Sequence, residues 1–180
     1  MKALAMVAHP DDCIIFGYGF INHYKNFDWS ICYLTYTNSD PRAIEISKFW
    51  SRRNIETKFL GFIDDYQDIK NNQISFSEDE AKQSVLTEIA DKDLILTHNQ
   101  YGEYGHLHHK FIHNIVIASH PCVVTFADSY HGNATYTVDS SLYSLDELPL
   151  HRDVIGPFHP VNHINNYQIS PEVNNRLLNL

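Results

Sequence analysis

The chain has little cysteine, no cluster of positive charge and no long apolar run. Its three cysteines, Cys13, Cys32 and Cys122, are odd in number and form no Cys-x-x-Cys pair. Cys32 and Cys122 sit inside apolar runs and read as small buried hydrophobes, which suits a reducing compartment. Lys and Arg number 13 against 22 Asp and Glu, for a formal net charge of -9. No basic patch breaks that excess, so a nucleic-acid partner is not expected. No stretch approaches the ~20 apolar residues of a membrane helix. The apolar opening is interrupted by His9-Pro10-Asp11-Asp12 before it reaches the length of a signal peptide. The chain reads as soluble and cytoplasmic, with no nucleic-acid partner and no membrane span.

What is present is ordinary for a globular protein: 43% apolar and 19% charged residues in a chain of 180, enough for one domain with a real core. Strand-like runs at residues 3–8, 30–36, 57–61, 93–97 and 122–126 alternate with helix-like segments at 11–24, 41–54, 78–90 and 106–118. Asp40 before Pro41 suits a capped helix start, and Ser77 with Glu80 resembles a capping box. The alternation predicts a single Rossmann-like α/β domain over residues 1–180, with a mainly parallel five-stranded sheet and helices on both faces. Residues 63–76 are polar and aperiodic and read as a loop. Residues 134–139 alternate like an added edge strand. Residues 141–180 read as an irregular tail, with a helix signal only at 172–178.

Two clusters carry chemistry. Ala8-His9-Pro10-Asp11-Asp12 follows the first strand, and Gly105-His106-Leu107-His108-His109 follows the fourth. In a parallel sheet both lie on one edge, where open α/β sheets place their ligands. Imidazole nitrogen and carboxylate oxygen are good zinc ligands, and a catalytic site keeps one position open. One of the two adjacent aspartates can bind a metal while the other faces that open position as a general base. On a helix, His106 and His109 share a face. His109 then completes a His/Asp/His set, and His106 sits near the open position. The residues alone leave another reading: an Asp capping pair beside a buried His, and a His-rich helix start that caps and solvates. With 12 histidines in the chain, His98, His120, His131, His151, His159 and His163 are taken as structural or solvent-facing. Tyr66, Tyr101, Tyr104 and Tyr130 lie in loops near the inferred mouth and are left out of the candidate site.

These motifs resemble the PIG-L/LmbE family of zinc-dependent N-acetylglucosaminyl deacetylases. Pro41-Arg42-x-x-Glu45, Phe59-Leu60-Gly61-Phe62, Thr97-His98-Asn99, Gly102-Glu103-Tyr104-Gly105-His106 and Thr137-Val138-Asp139 extend the similarity over roughly residues 2–140. The resemblance implies that His9, Asp12 and His109 ligate Zn2+ or another divalent metal. It implies that Asp11 is the general base, that His106, protonated, holds the oxyanion, and that Arg42 binds substrate. The implied activity is removal of an acetyl group from an N-acetylated amino sugar or glycoconjugate, a small-molecule substrate. The alternatives are hydrolysis of another small amide and a non-catalytic metal- or sugar-binding relative. Two positions depart from the family: Cys13 stands where Glu is frequent, and His108 where Asp is frequent. The second departure is expected to shift the pH profile or reduce activity rather than abolish metal binding.

Overall fold

A computed structural model describes residues 1–127, 136–139, 143–155 and 164–178. Among the described residues, seven strands form one sheet in the order β3-β2-β1-β4-β5-β7-β6. The first five are β1 (Lys2–Val7), β2 (Asp28–Thr35), β3 (Glu56–Phe62), β4 (Leu94–Thr97) and β5 (Val123–Phe126). All five run parallel, as the alternation predicts. β1 and β4 are buried almost throughout, the mark of central strands covered on both faces.

Between these strands lie α1 (Tyr18–His23), α2 (Pro41–Ser51), α3 (Tyr66–Asn71), α4 (Glu78–Ile89), α5 (Gly102–Gly105) and α6 (Leu107–Ser119). The helix starts expected at Asp40 and Ser77 are capped: Asp40 accepts from Arg42 N, and Ser77 accepts from Glu80 N. One face of the sheet packs Ile14, Phe20, Ile46, Phe49 and Trp50. The other packs Ala81, Val85, Ile112 and Val116 from α4 and α6.

Three differences from the sequence reading have physical causes. The helix expected from residue 11 opens as a π-helical turn, Cys13–Gly17. At its junction with α1 the Tyr167 hydroxyl donates to Phe16 O (2.8 Å) and accepts from Phe20 N (3.0 Å). A side chain inserted in the i to i−4 ladder is a usual cause of such a local departure from α geometry. Tyr167 belongs to the second difference. The tail is not irregular throughout: it supplies α7 (Arg152–Ile155), β7 (Ile164–Ile169) and α8 (Pro171–Leu178). β7 pairs antiparallel with β5, and the expected edge strand, β6 (Tyr136–Asp139), pairs with β7 instead of closing the parallel set directly. Third, residues 63–76 are not wholly loop, because α3 sits there with Asp65 as its cap. Tyr130, His131, His159 and His163 lie outside the described residues.

Candidate metal centre

The register Met6↔Thr97 sets the ends of β1 and β4 side by side. The chain leaves both strands at the same edge, and the Ala8 N–H donates to His98 Nε2 at 3.0 Å. A turn then folds residues 9–12 back, with Asp12 N donating to His9 O. The His9 N–H donates to Asp12 Oδ2 at 2.6 Å. Asp12 makes no side-chain cap to the following helix, so the capping alternative does not describe it. The second cluster does both jobs. The His106 side chain caps α6 by accepting from His108 N, and its neighbours still converge with the first cluster.

His9, Asp12 and His109 meet in a tight, buried triangle. His9 Nδ1 lies 3.1 Å from His109 Nε2 and 3.3 Å from Asp12 Oδ2, and His109 Nε2 lies 3.4 Å from Asp12 Oδ1. Ligands bonded to one zinc at ~2.0–2.2 Å stand roughly 3.3–3.5 Å apart, so this donor set fits the ion in both chemistry and size. Burial opposes charge on His9, but the Asp12 carboxylate, helped by Asp64, outweighs it and raises the imidazole to about 9. Burial also opposes charge on Asp12, and His109, His9 and His98 together hold it well below the usual carboxylate range.

Behind His109 sits a residue the sequence reading gave no role. Glu103 Oε2 lies 2.5 Å from His109 Nδ1 and 2.9 Å from His98 Nδ1, and Oε1 accepts from Asn99 N. A carboxylate on Nδ1 places the His109 proton there and leaves Nε2 as a ligand, the arrangement that supports metal-bound histidines. Glu103 achieves this with a left-handed φ of 57°, a strained backbone for a non-glycine residue costing on the order of 1–3 kcal/mol. Burial opposes its charge, but His98 and His109 bring it down to about 2. Glu103 stands in the motif that carries the resemblance, but its inward carboxylate was not legible there.

Asp11 lies beside the triangle and outside it. Its Oδ1 is 3.5 Å from the Arg42 guanidinium. Burial and the neighbouring Asp12 charge push Asp11 up, against the pull of Arg42 and His9. Arg42 also donates to Tyr36 Oη (2.9 Å) and to His151 Nε2 (3.3 Å). His151, fully buried, is in turn fixed by Glu45 at 2.6 Å. The tail therefore holds the arginine in place, a contact that spacing alone could not reveal.

His106 differs from expectation in charge. Its Nδ1 accepts from His108 N, and burial together with His9, His109 and His108 pulls it down to about 3. It is a neutral ring whose remaining N–H is on Nε2, not an imidazolium. Cys13 is buried in the core cluster, and burial and Asp12 push its thiol up, so it packs rather than ligates. Tyr104 is 59% exposed and stands edge-on to His106 and His109 at the rim. A second group of candidate donors, His9, Asp64, His106 and His108, adjoins the triangle and shares His9 with it. Asp64 and, behind His108, Asp68 were not anticipated.

The fold and site define an α/β protein with a Rossmann-like sheet, a His/Asp triangle that could hold a metal at its carboxyl edge, and a further carboxylate beside it. The model of one family, PIG-L (GlcNAc-PI de-N-acetylase), matches residues 4–120, and the chain belongs to that family. No curated protein matches the chain. Among solved structures, it is similar to an N,N'-diacetylchitobiose deacetylase from Pyrococcus horikoshii, with 15% identity, TM-score 0.67, and 94% of this chain and 84% of that one covered. A deacetylase of the teicoplanin biosynthesis pathway has 12% identity and TM-score 0.57, with 96% and 100% covered. A 4-carboxy-2-hydroxymuconate hydratase from Pseudomonas putida has 9% identity and TM-score 0.61, with 93% and 95% covered. These likenesses establish the fold; the reaction has to be argued from the site. Among the described residues, no helix is long and apolar enough to cross a membrane.

Proposed function

We propose that the protein is a metal-dependent hydrolase that removes an acetyl group from an N-acetylated amino sugar or glycoconjugate. The observation that carries this reading is the buried triangle of His9, Asp12 and His109 with Asp11 beside it and held on Arg42. Family membership and the deacetylases among the structural neighbours support the choice of substrate class.

In this reading His9, Asp12 and His109 hold zinc or another divalent ion. When bound, the ion supplies a Lewis acid for the amide carbonyl and a more acidic water. Asp11 would take a proton from the water that attacks the acetamide carbon. His106, through its Nε2 hydrogen, donates to the carbonyl oxygen as negative charge gathers there. The C–N bond then breaks, and the nitrogen leaves with the proton returned by Asp11. One water and one amide give acetate and a free amine. Arg42 limits where Asp11 can point and offers N–H groups to substrate hydroxyls.

Release of primary amine and acetate from N-acetylglucosamine conjugates, set against N-acylated amino acids and thiol conjugates, tests the reading. Sugar amides are expected to turn over, with loss on chelation and with Asp11→Ala. Turnover indifferent to both changes would refute it. Tight zinc binding with no turnover on any amide would instead mark a binding protein.

A further inference from the structure

We propose that Asp68 is a positioning residue for the metal ligand His9, acting through the ring of His108. This rests on the reading that His9, Asp12 and His109 hold the metal. His108 is fully buried, with Nε2 3.1 Å from Asp68 Oδ2 and Nδ1 3.2 Å from His9 Nε2. Asp68 is itself anchored, since Oδ2 accepts from both Ser75 N and Ser75 Oγ at 3.1 Å.

The proton positions follow from one end. A carboxylate only accepts, so the proton of a neutral His108 lies on Nε2, facing Asp68. His108 Nδ1 then carries a lone pair and accepts from His9 Nε2–H. With its proton on Nε2, His9 keeps the Nδ1 lone pair on the side of Asp12 and His109, where a ligand atom is needed. A metal-bound histidine ordinarily gives its other N–H to a carboxylate or carbonyl. Here the carboxylate stands one imidazole away, and a chain of this kind polarises cooperatively. The competing acceptor is Asp64, whose Oδ1 is 3.5 Å from His9 Nε2 and 3.8 Å from His108 Nδ1. Asp64 lies at the more exposed side, and its Oδ1 stands farther from His9 Nε2 than His108 Nδ1 does, 3.5 against 3.2 Å, so it is the poorer partner.

The chain also explains how the site works with His108 in place. Asp68 comes from α3, a helix whose polar sequence reads as loop. It brings a negative charge to His9 that His108 lacks.

The test combines two readouts. In metal-free protein with 15N-labelled histidine, NMR should find the His108 proton on Nε2. In chelator competition, Asp68→Asn should weaken zinc affinity 10- to 100-fold. His108→Asp puts a carboxylate oxygen near the place of Nδ1, directly against His9. It should bind zinc close to wild type and make Asp68→Asn nearly silent in the double variant. That rescue separates a relay from a merely structural effect of α3. A His108 proton on Nδ1, unchanged affinity in Asp68→Asn, or a double variant as weak as Asp68→Asn alone would each overturn the proposal. So would a second zinc equivalent abolished by His108→Ala, which would make these atoms a metal site. If zinc binds equally to wild type and His109→Ala, the metal reading fails, and the tautomers of the metal-free protein still decide the relay.

Discussion

Asp11 and Asp12 are neighbours in sequence and face different partners. Both Asp12 oxygens look inward at histidines: Oδ2 toward His9 and His98, Oδ1 toward His109. Asp11 Oδ1 looks toward Arg42. The two neutral-amide substitutions should therefore part company. Asp12→Asn is expected to lower zinc affinity by at least 10-fold. Asp11→Asn should bind zinc normally and lose 10²-fold or more in kcat, the ordinary worth of a general base. Zinc titration beside steady-state kinetics checks both. Equal loss of metal in the two variants would contradict the division.

Glu103 supports His109 from behind. Glu103→Gln keeps the shape but replaces one charged acceptor with an amide. Zinc affinity is expected to fall 10- to 100-fold, as when other carboxylates behind metal ligands are removed. Competition with a chromogenic chelator gives the number.

Tyr167 reaches from β7 to the helix that follows the His-Pro-Asp-Asp turn. Tyr167→Phe leaves Phe16 O and Phe20 N without that hydroxyl in a buried setting. A loss of about 1–3 kcal/mol in unfolding free energy is expected from urea denaturation. A neutral outcome would mean that the π-helical turn closes to α geometry without it.

Arg53 meets Glu147 through two N–H groups at 3.0 and 3.2 Å. These hydrogen bonds lower the Glu147 pKa against a smaller opposing effect of burial. A depressed carboxylate stabilises above its unfolded value and loses that contribution as pH falls through the folded one. Glu147→Gln should therefore cost about 0.5–1 kcal/mol at pH 7, and the difference from wild type should fade below pH ~4. Thermal melts at both pH values test this.

All three cysteines are buried, and burial pushes the Cys13 and Cys32 thiols up. A disulfide-exchange reagent should label none in the native protein within minutes and all three in denaturant. Rapid native labelling of Cys13 would mean that the turn beside Asp12 opens.

The parallel sheet was legible because its strands are short apolar runs bounded by capped helices, as at Asp40 and Ser77. The meeting of His9 and His109 was legible from sheet topology, since both follow strands on one edge. Asp68 was not, because α3 is short and polar and its helix depends on the Asp65 cap and its packing. Glu103 was hidden for another reason: only its left-handed backbone turns the side chain inward. β7 lay in a stretch rich in Asn, where local propensity opposes a strand and pairing with β5 overrides it. His151 was read as structural or solvent-facing, and its place against Arg42 depends on the fold of the tail.

The most direct test of the central claim is a crystal structure of zinc-loaded protein with data collected across the zinc edge. One anomalous peak is expected within about 2.0–2.2 Å of His9 Nδ1, an Asp12 oxygen and His109 Nε2. A peak at Asp64, His106 and His108 instead, or none at saturating zinc, would contradict it.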